Sequence, residues 1–187
     1  MEDSLQVSLE PGEQILWQGG TEAFETLDNT HKKSFAVKAI IGSLVAILIS
    51  AVYVFAVINT APINYFVFLV VFILCGIPAF NFLGDAHKLR KTVYLATDRR
   101  LIVLRDSVHD MKYACIHEAA FRMDRDGHVS LLCGDEAMKL KPEKWREAAV
   151  VGQRVTEGPD CHRFVFYAPS DPEALKDILN AHLSFSL

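Results

Sequence analysis

The sequence predicts a membrane α-helical hairpin joined to a cytoplasmic α+β domain, in which a small bent antiparallel sheet or partial barrel is capped at one end by a helix. Three observations carry this. Residues Ala39–Gly84 form 46 consecutive positions without a charge. A series of short β-prone runs follows, the first two separated by the turn Thr97-Asp98-Arg99-Arg100. The chain then closes on an amphipathic stretch entered through Ser170-Asp171-Pro172-Glu173.

The uncharged stretch divides into two apolar blocks, Ala39–Ile58 and Ile63–Leu83, around the breaker cluster Asn59-Thr60-Ala61-Pro62. A helix rises about 1.5 Å per residue and the hydrocarbon core is about 30 Å thick, so each block is long enough to span. Two buried helices of a soluble core rarely run this long without a charge. Lys32, Lys33 and Lys38 precede the first block, Lys88, Arg90 and Lys91 follow the second, and the turn between them has no charge. The positive-inside rule then places both ends on the cytoplasmic side. Gly42, Ser43, Gly76 and Asn81 read as close-packing positions, and Pro78 as a kink near the exit of the second span. A substrate path fits less well, because the spans hold no ionisable residue.

Three regions result: an acidic leader (1–35), the hairpin (36–84) and the cytoplasmic domain (85–187). Residues 1–31 hold seven acids and no Lys or Arg. Anionic headgroups repel such a segment, so it is expected to dock on protein. Its run Ile15-Leu16-Trp17, closed by Gly19-Gly20, reads as an edge strand or collar on the downstream domain in preference to a free recruitment tail. The whole chain carries a formal charge of −4, and the domain from Asp85 holds 16 acids and 16 bases, which gives no electrostatic case for nucleic-acid binding.

In the domain, Thr92–Ala96 and Leu101–Leu104 form a hairpin by spacing. Further strands are expected at Met111–His117, Ala119–Met123, Val129–Cys133, Met138–Lys141 and Arg163–Tyr167, with tight turns at Asp126-Gly127 and Glu157-Gly158-Pro159-Asp160. Met138-Lys139-Leu140-Lys141 alternates as a half-buried strand does. Pro142–Val150 reads as a short helix. The terminal helix has two compatible starts, a Ser170/Glu173 capping box or an Asp171 cap with Pro172 at the first helical position. Leu175, Ile178, Leu179 and Leu183 share its apolar face.

Tyr94-Leu95-Ala96-Thr97-Asp98-Arg99-Arg100-Leu101 resembles the hairpin that opens bacterial pleckstrin-homology-like domains, and Asp171-Pro172-Glu173 is similar to the entry of their terminal helix. A leader like Pro11-Gly12-Glu13 with Trp17 precedes a two-helix membrane hairpin in many relatives. The resemblance covers most of the chain, matches loosely over 105–165, and departs over Lys141–Asp160. It implies about seven strands bent around a core, capped by a helix at the inner membrane surface. It implies an interaction or self-assembly module, with a homo-oligomer or a membrane protein as partner, and no catalytic activity.

The candidate contacts follow. Trp17, Arg99 and Arg100 are the expected partner contacts; Lys88, Arg90 and Lys91 are the expected lipid-headgroup contacts, on juxtamembrane electrostatics. Specific inositol-phosphate recognition needs convergent cations that this pattern does not single out. Cys115 and His117, with Cys133, Cys161 and His162, match no closed zinc spacing. Ser107, His109 and Asp110 lack a nucleophile elbow. No Gly-rich phosphate loop occurs. No cofactor, metal or specific small molecule is expected, and the alternative to a protein-interaction role is an anionic-lipid sensor.

Overall fold

In a computed structural model, the described residues are 9–58, 62–151, 154–155, 160–183 and 185, with the side chains of 78–82, 151 and 154–155 left aside. The chain forms two compact units, one built from residues 1–26 together with 85–187, the other from 27–84.

The first unit is an α+β fold of two antiparallel sheets. The first sheet has the order β1-β2-β3-β4, with β1 at Ile15–Gly20, β2 at Val93–Thr97, β3 at Arg100–Leu104 and β4 at Val108–Lys112. The second joins β5 (Ala119–Met123), β6 (Val129–Cys133) and β8 (Cys161–Phe166), with the two-residue β7 (Arg154–Val155) beside β8. The leader therefore supplies a strand: Gln18 stands opposite Leu95 and Gly19 opposite Tyr94, with an irregularity between Ile15 and Trp17.

Period-two alternation sends Trp17, Tyr94, Ala96, Leu101, Val103 and Met111 of the first sheet toward Leu131, Cys133, Phe164 and Phe166 of the second. The C-terminal helix α5 (Pro172–Leu179) closes this core with Leu175 and Leu179, both fully buried. Burying each leucine contributes about 2 kcal/mol. Of the two starts open in the sequence, the cap is Asp171, whose Oδ1 accepts the Ala174 N–H at 3.0 Å, with Pro172 leading the helix.

The second sheet is covered on its other face as well. Leu132, Val165 and Tyr167 pack with Trp145, Ala148 and Val150 of α4 (Trp145–Val151), with Ala137 of α3 (Asp135–Met138), and with Ala86 and Leu89. With both faces covered, consecutive residues of each strand are buried, Leu131 and Leu132 of β6 and Phe164, Val165 and Phe166 of β8. Arg105 completes this layer by donating to the Ala149 and Val150 carbonyls at 3.1 and 2.6 Å, which satisfies acceptors at the end of α4.

Three expectations change here. Met138–Lys141 is not a strand. Gly134, at φ +92°, turns the chain out of β6, Asp135 and Glu136 favour a helical first turn, and Ala137, Met138 and Leu140 all seat in the second core. The strand expected at Met111–His117 lies earlier, at Val108–Lys112, because the chain reverses tightly at Arg105–Ser107; Tyr113–Cys115 is a 3₁₀ turn. The helix expected from Pro142 opens as a 3₁₀ turn over Pro142–Lys144 and becomes α-helical at Trp145. The Asp126-Gly127 turn is present, with Gly127 at φ +87°. Glu157, Gly158 and Pro159 lie outside the described residues, and so do Asn59, Thr60 and Ala61.

The second unit contains α1 (Asn29–Val57) and the main part of α2 (Tyr65–Leu89), whose last turn counts with the first unit. α1 starts well before the first apolar block because Asp28 caps it: Oδ1 accepts the His31 N–H at 2.8 Å and lies 2.7 Å from His31 Nδ1. Among the described residues, α1 alone is long and apolar enough to cross a membrane; the described apolar part of α2, Tyr65–Ile77, is shorter. The two helices touch. A Cβ on Gly42 would stand 2.5 Å from the Cys75 carbonyl oxygen, and Tyr53 meets Phe68 edge-on at 5.6 Å. The positions of the Pro78 and Asn81 side chains lie outside what is described.

Two glycines separate backbone strain from backbone contact. At Gly127 an added Cβ meets open space, whereas at Gly134 it would collide with the Cys161 and His162 backbone. Gly127→Ala is expected to cost about 1 kcal/mol of stability, from its positive φ alone. Gly134→Ala is expected to cost clearly more, about 2–4 kcal/mol. Denaturant titration of the two variants checks the order; equal losses contradict the close approach.

Candidate functional site

The densest polar constellation lies where the leader crosses the open end of the first sheet. Glu10-Pro11-Gly12-Glu13 is a turn, with Gly12 at φ +79° and the Glu13 N–H donating to the Glu10 carbonyl at 2.9 Å. Proline second and glycine third is the sequence that a type II turn demands. The turn aims the Glu13 carboxylate under β2 and β3. Arg100 grips it with two parallel bonds, Nε to Oε1 and Nη2 to Oε2, both 2.8 Å. Thr97 Oγ1 donates to Oε1 at 2.8 Å and the Glu10 N–H to Oε2 at 2.7 Å. Arg100 Nη1 reaches on to Asp110 Oδ2 at 2.8 Å.

Glu13 is only 7% exposed. The Arg100 hydrogen bonds outweigh the burial that opposes ionisation, and with help from the Glu10 N–H and Thr97 they hold its carboxyl near a pKa of about 2. The same pair moves the Arg100 guanidinium further up. Around this buried centre sits an exposed ring. Arg99 Nη1 pairs with Glu10 Oε2 at 3.2 Å, Lys112 Nζ lies 3.9 Å from Glu10 Oε1, and the Gln14 N–H donates to Asp98 Oδ1 at 3.0 Å.

The leader stays attached beyond β1. Gly20 O accepts the Ser170 N–H at 2.9 Å, the Glu22 N–H donates to Ala168 O at 2.6 Å, and Thr21 Oγ1 donates to Leu89 O at 2.9 Å. Arg146, 2% exposed, then binds the Glu25 and Thr26 carbonyls at 3.1 and 2.9 Å and the Tyr167 hydroxyl at 3.0 Å. Its guanidinium lies 4.3 Å from the Phe24 ring centroid and 5.2 Å from that of Tyr167, a cation held between two aromatic faces.

The sequence-selected residues distribute unevenly. Trp17 is 8% exposed and belongs to the core, where its ring fills the space beside Gly19. Arg100 is turned inward to Glu13 and Asp110. Where the sequence suggested partner contacts, the Trp17 side chain is thus packed into the core and that of Arg100 is half-buried between two carboxylates. Arg99 is exposed but pairs with Glu10. Arg90 donates to Phe24 O at 3.3 Å and to Thr26 Oγ1 at 3.0 Å, while Lys88 and Lys91 are exposed.

The other clusters separate in space. Asp110, committed to Arg100, is not the third member of a Ser107–His109 relay, although Ser107 Oγ and His109 Nε2 are 2.7 Å apart. Cys133 and Cys161 are buried, and burial pushes the Cys133 thiol well up and the Cys161 thiol to about 12, so both stay protonated. His117 and His162 point instead to Asp160 and Asp135 at 3.0 and 3.1 Å. A cleft of about 240 Å³ is lined by Leu140, Lys144, Glu147, Ala148 and Arg163, and Lys144 and Glu147 neutralise each other 2.6 Å apart.

Sequence reasoning missed Glu13 and Arg146 as the fixing residues of the leader. For Glu13 a signal existed: an acid in a Pro-Gly turn upstream of a β-prone run, and a Thr-Asp-Arg-Arg turn of opposite charge downstream. For Arg146 the partners are backbone carbonyls, which leave no trace in composition. No family model, curated protein or solved structure matches this chain.

The chemistry of the clamp is charge cancellation. Glu10, Glu13 and Asp110 face Arg99, Arg100 and Lys112, so carboxylates occupy the places that phosphate oxygens would take on these cations. Because the Glu13 carboxyl has a folded pKa of about 2 and an unfolded value near that of free glutamate, its contribution is full above about pH 4.5 and is lost as pH falls to about 2. Glu13→Gln is expected to cost about 3 kcal/mol at pH 7 and to flatten the acid limb of the stability curve over that window. Chemical denaturation of both proteins across pH checks this; an unchanged acid limb contradicts the clamp.

Proposed function

We propose that this chain is a membrane-anchored, non-catalytic interaction module of the bacterial pleckstrin-homology-like kind, held at the cytoplasmic face of the bacterial membrane by a two-helix hairpin. The observation that carries this reading is the pairing of β1 with β2 across the apolar insertion. Residues 27–84 leave one folded unit and return to it. A unit whose strands come from both sides of an insertion folds on one side of a bilayer, so the insertion crosses an even number of times. Two helices in contact at Gly42 and Cys75, with six flanking cations and an uncharged connection, supply a hairpin of that kind. The family resemblance implies one bent sheet of about seven strands capped by a helix, and an α+β unit with antiparallel sheets and a C-terminal helix against its core is compatible with it.

The interaction role rests on what the domain leaves open. Its charged clamp is internally neutralised, the Cys133 and Cys161 thiols are protonated and buried, and β4 is an edge strand. Edge strands present unpaired backbone groups to any extended segment.

A second reading, an anionic-lipid sensor, is favoured by one observation: Lys88 and Lys91 are exposed directly after the second apolar block. Such cations contribute about 1 kcal/mol each near an anionic leaflet. It predicts binding of the domain surface to anionic vesicles that falls steeply with salt.

Topology is the direct test. With an epitope at each terminus of the full chain, both tags are expected to be accessible in inside-out vesicles and both protected in right-side-out vesicles. Tags on opposite faces contradict the hairpin and with it the proposal.

A further inference from the structure

We draw no further inference here: the strongest candidate, the outer edge of β4 (Val108–Lys112) in the first sheet, is unpaired among the described strands, and nothing in the structure shows what covers it.

Discussion

A carboxylate taken out of water needs a partner charge and donors for its remaining lone pairs, or it costs more than it contributes. Glu13 meets both conditions through Arg100, Thr97 and the Glu10 amide, and the rest of the first unit depends on that arrangement. The turn that presents Glu13 sets the start of β1. β1 carries Trp17 into the core and Gly19 past the Trp17 ring. Its far end binds the segment after β8 through Gly20 and Glu22, so a single leader strand touches both sheets. The buried Arg146 then holds the last leader residues before the apolar insertion begins. A unit assembled this way is interrupted by the apolar segment 27–84, and cannot be separated from its leader without losing a strand.

The second sheet shows the other constraint. Leu131, Cys133, Phe164 and Phe166 face the first sheet, so Leu132, Val165 and Tyr167 face away and need a cover of their own. The segment from Gly134 to Val151 provides it with two short helices and a 3₁₀ turn. Trp145 anchors that cover, with its indole N–H donating to Leu140 O at 3.2 Å. Tyr94 ties the layers together: its hydroxyl donates to Tyr167 O at 3.2 Å and accepts the Tyr167 N–H at 3.1 Å, and burial raises its pKa to about 12. Ala168, at φ +43°, turns the chain out of β8 beneath that contact.

Much of this was legible in the sequence where local chemistry decides the structure. The Thr97–Arg100 hairpin, the Asp126-Gly127 turn, the edge strand at Ile15–Trp17 and the Pro172 helix are each specified by their own residues. Met138–Lys141 was not, because its alternation suits a strand and a helical turn seated by Ala137, Met138 and Leu140 alike; the positive φ at Gly134, a tertiary demand, decides between them. The site was less legible. Trp17 was selected as an aromatic outside a strong strand pattern, and Arg100 as a cation in the turn of the first hairpin. The placement of Arg100 depends on Glu13, 87 positions away, and that of Glu13 on Thr97, 84 positions away, as well, which no local window contains.

The leader strand is part of the folded domain across the apolar insertion. Amide hydrogen exchange of the full chain in a bilayer tests it most directly, read at β1 against β2 and β3. The amides of Trp17 to Gly20 are expected to be protected to the same degree as those of Tyr94 to Ala96. Exchange of the β1 amides at the rate of a free tail, with β2 and β3 still protected, would contradict it.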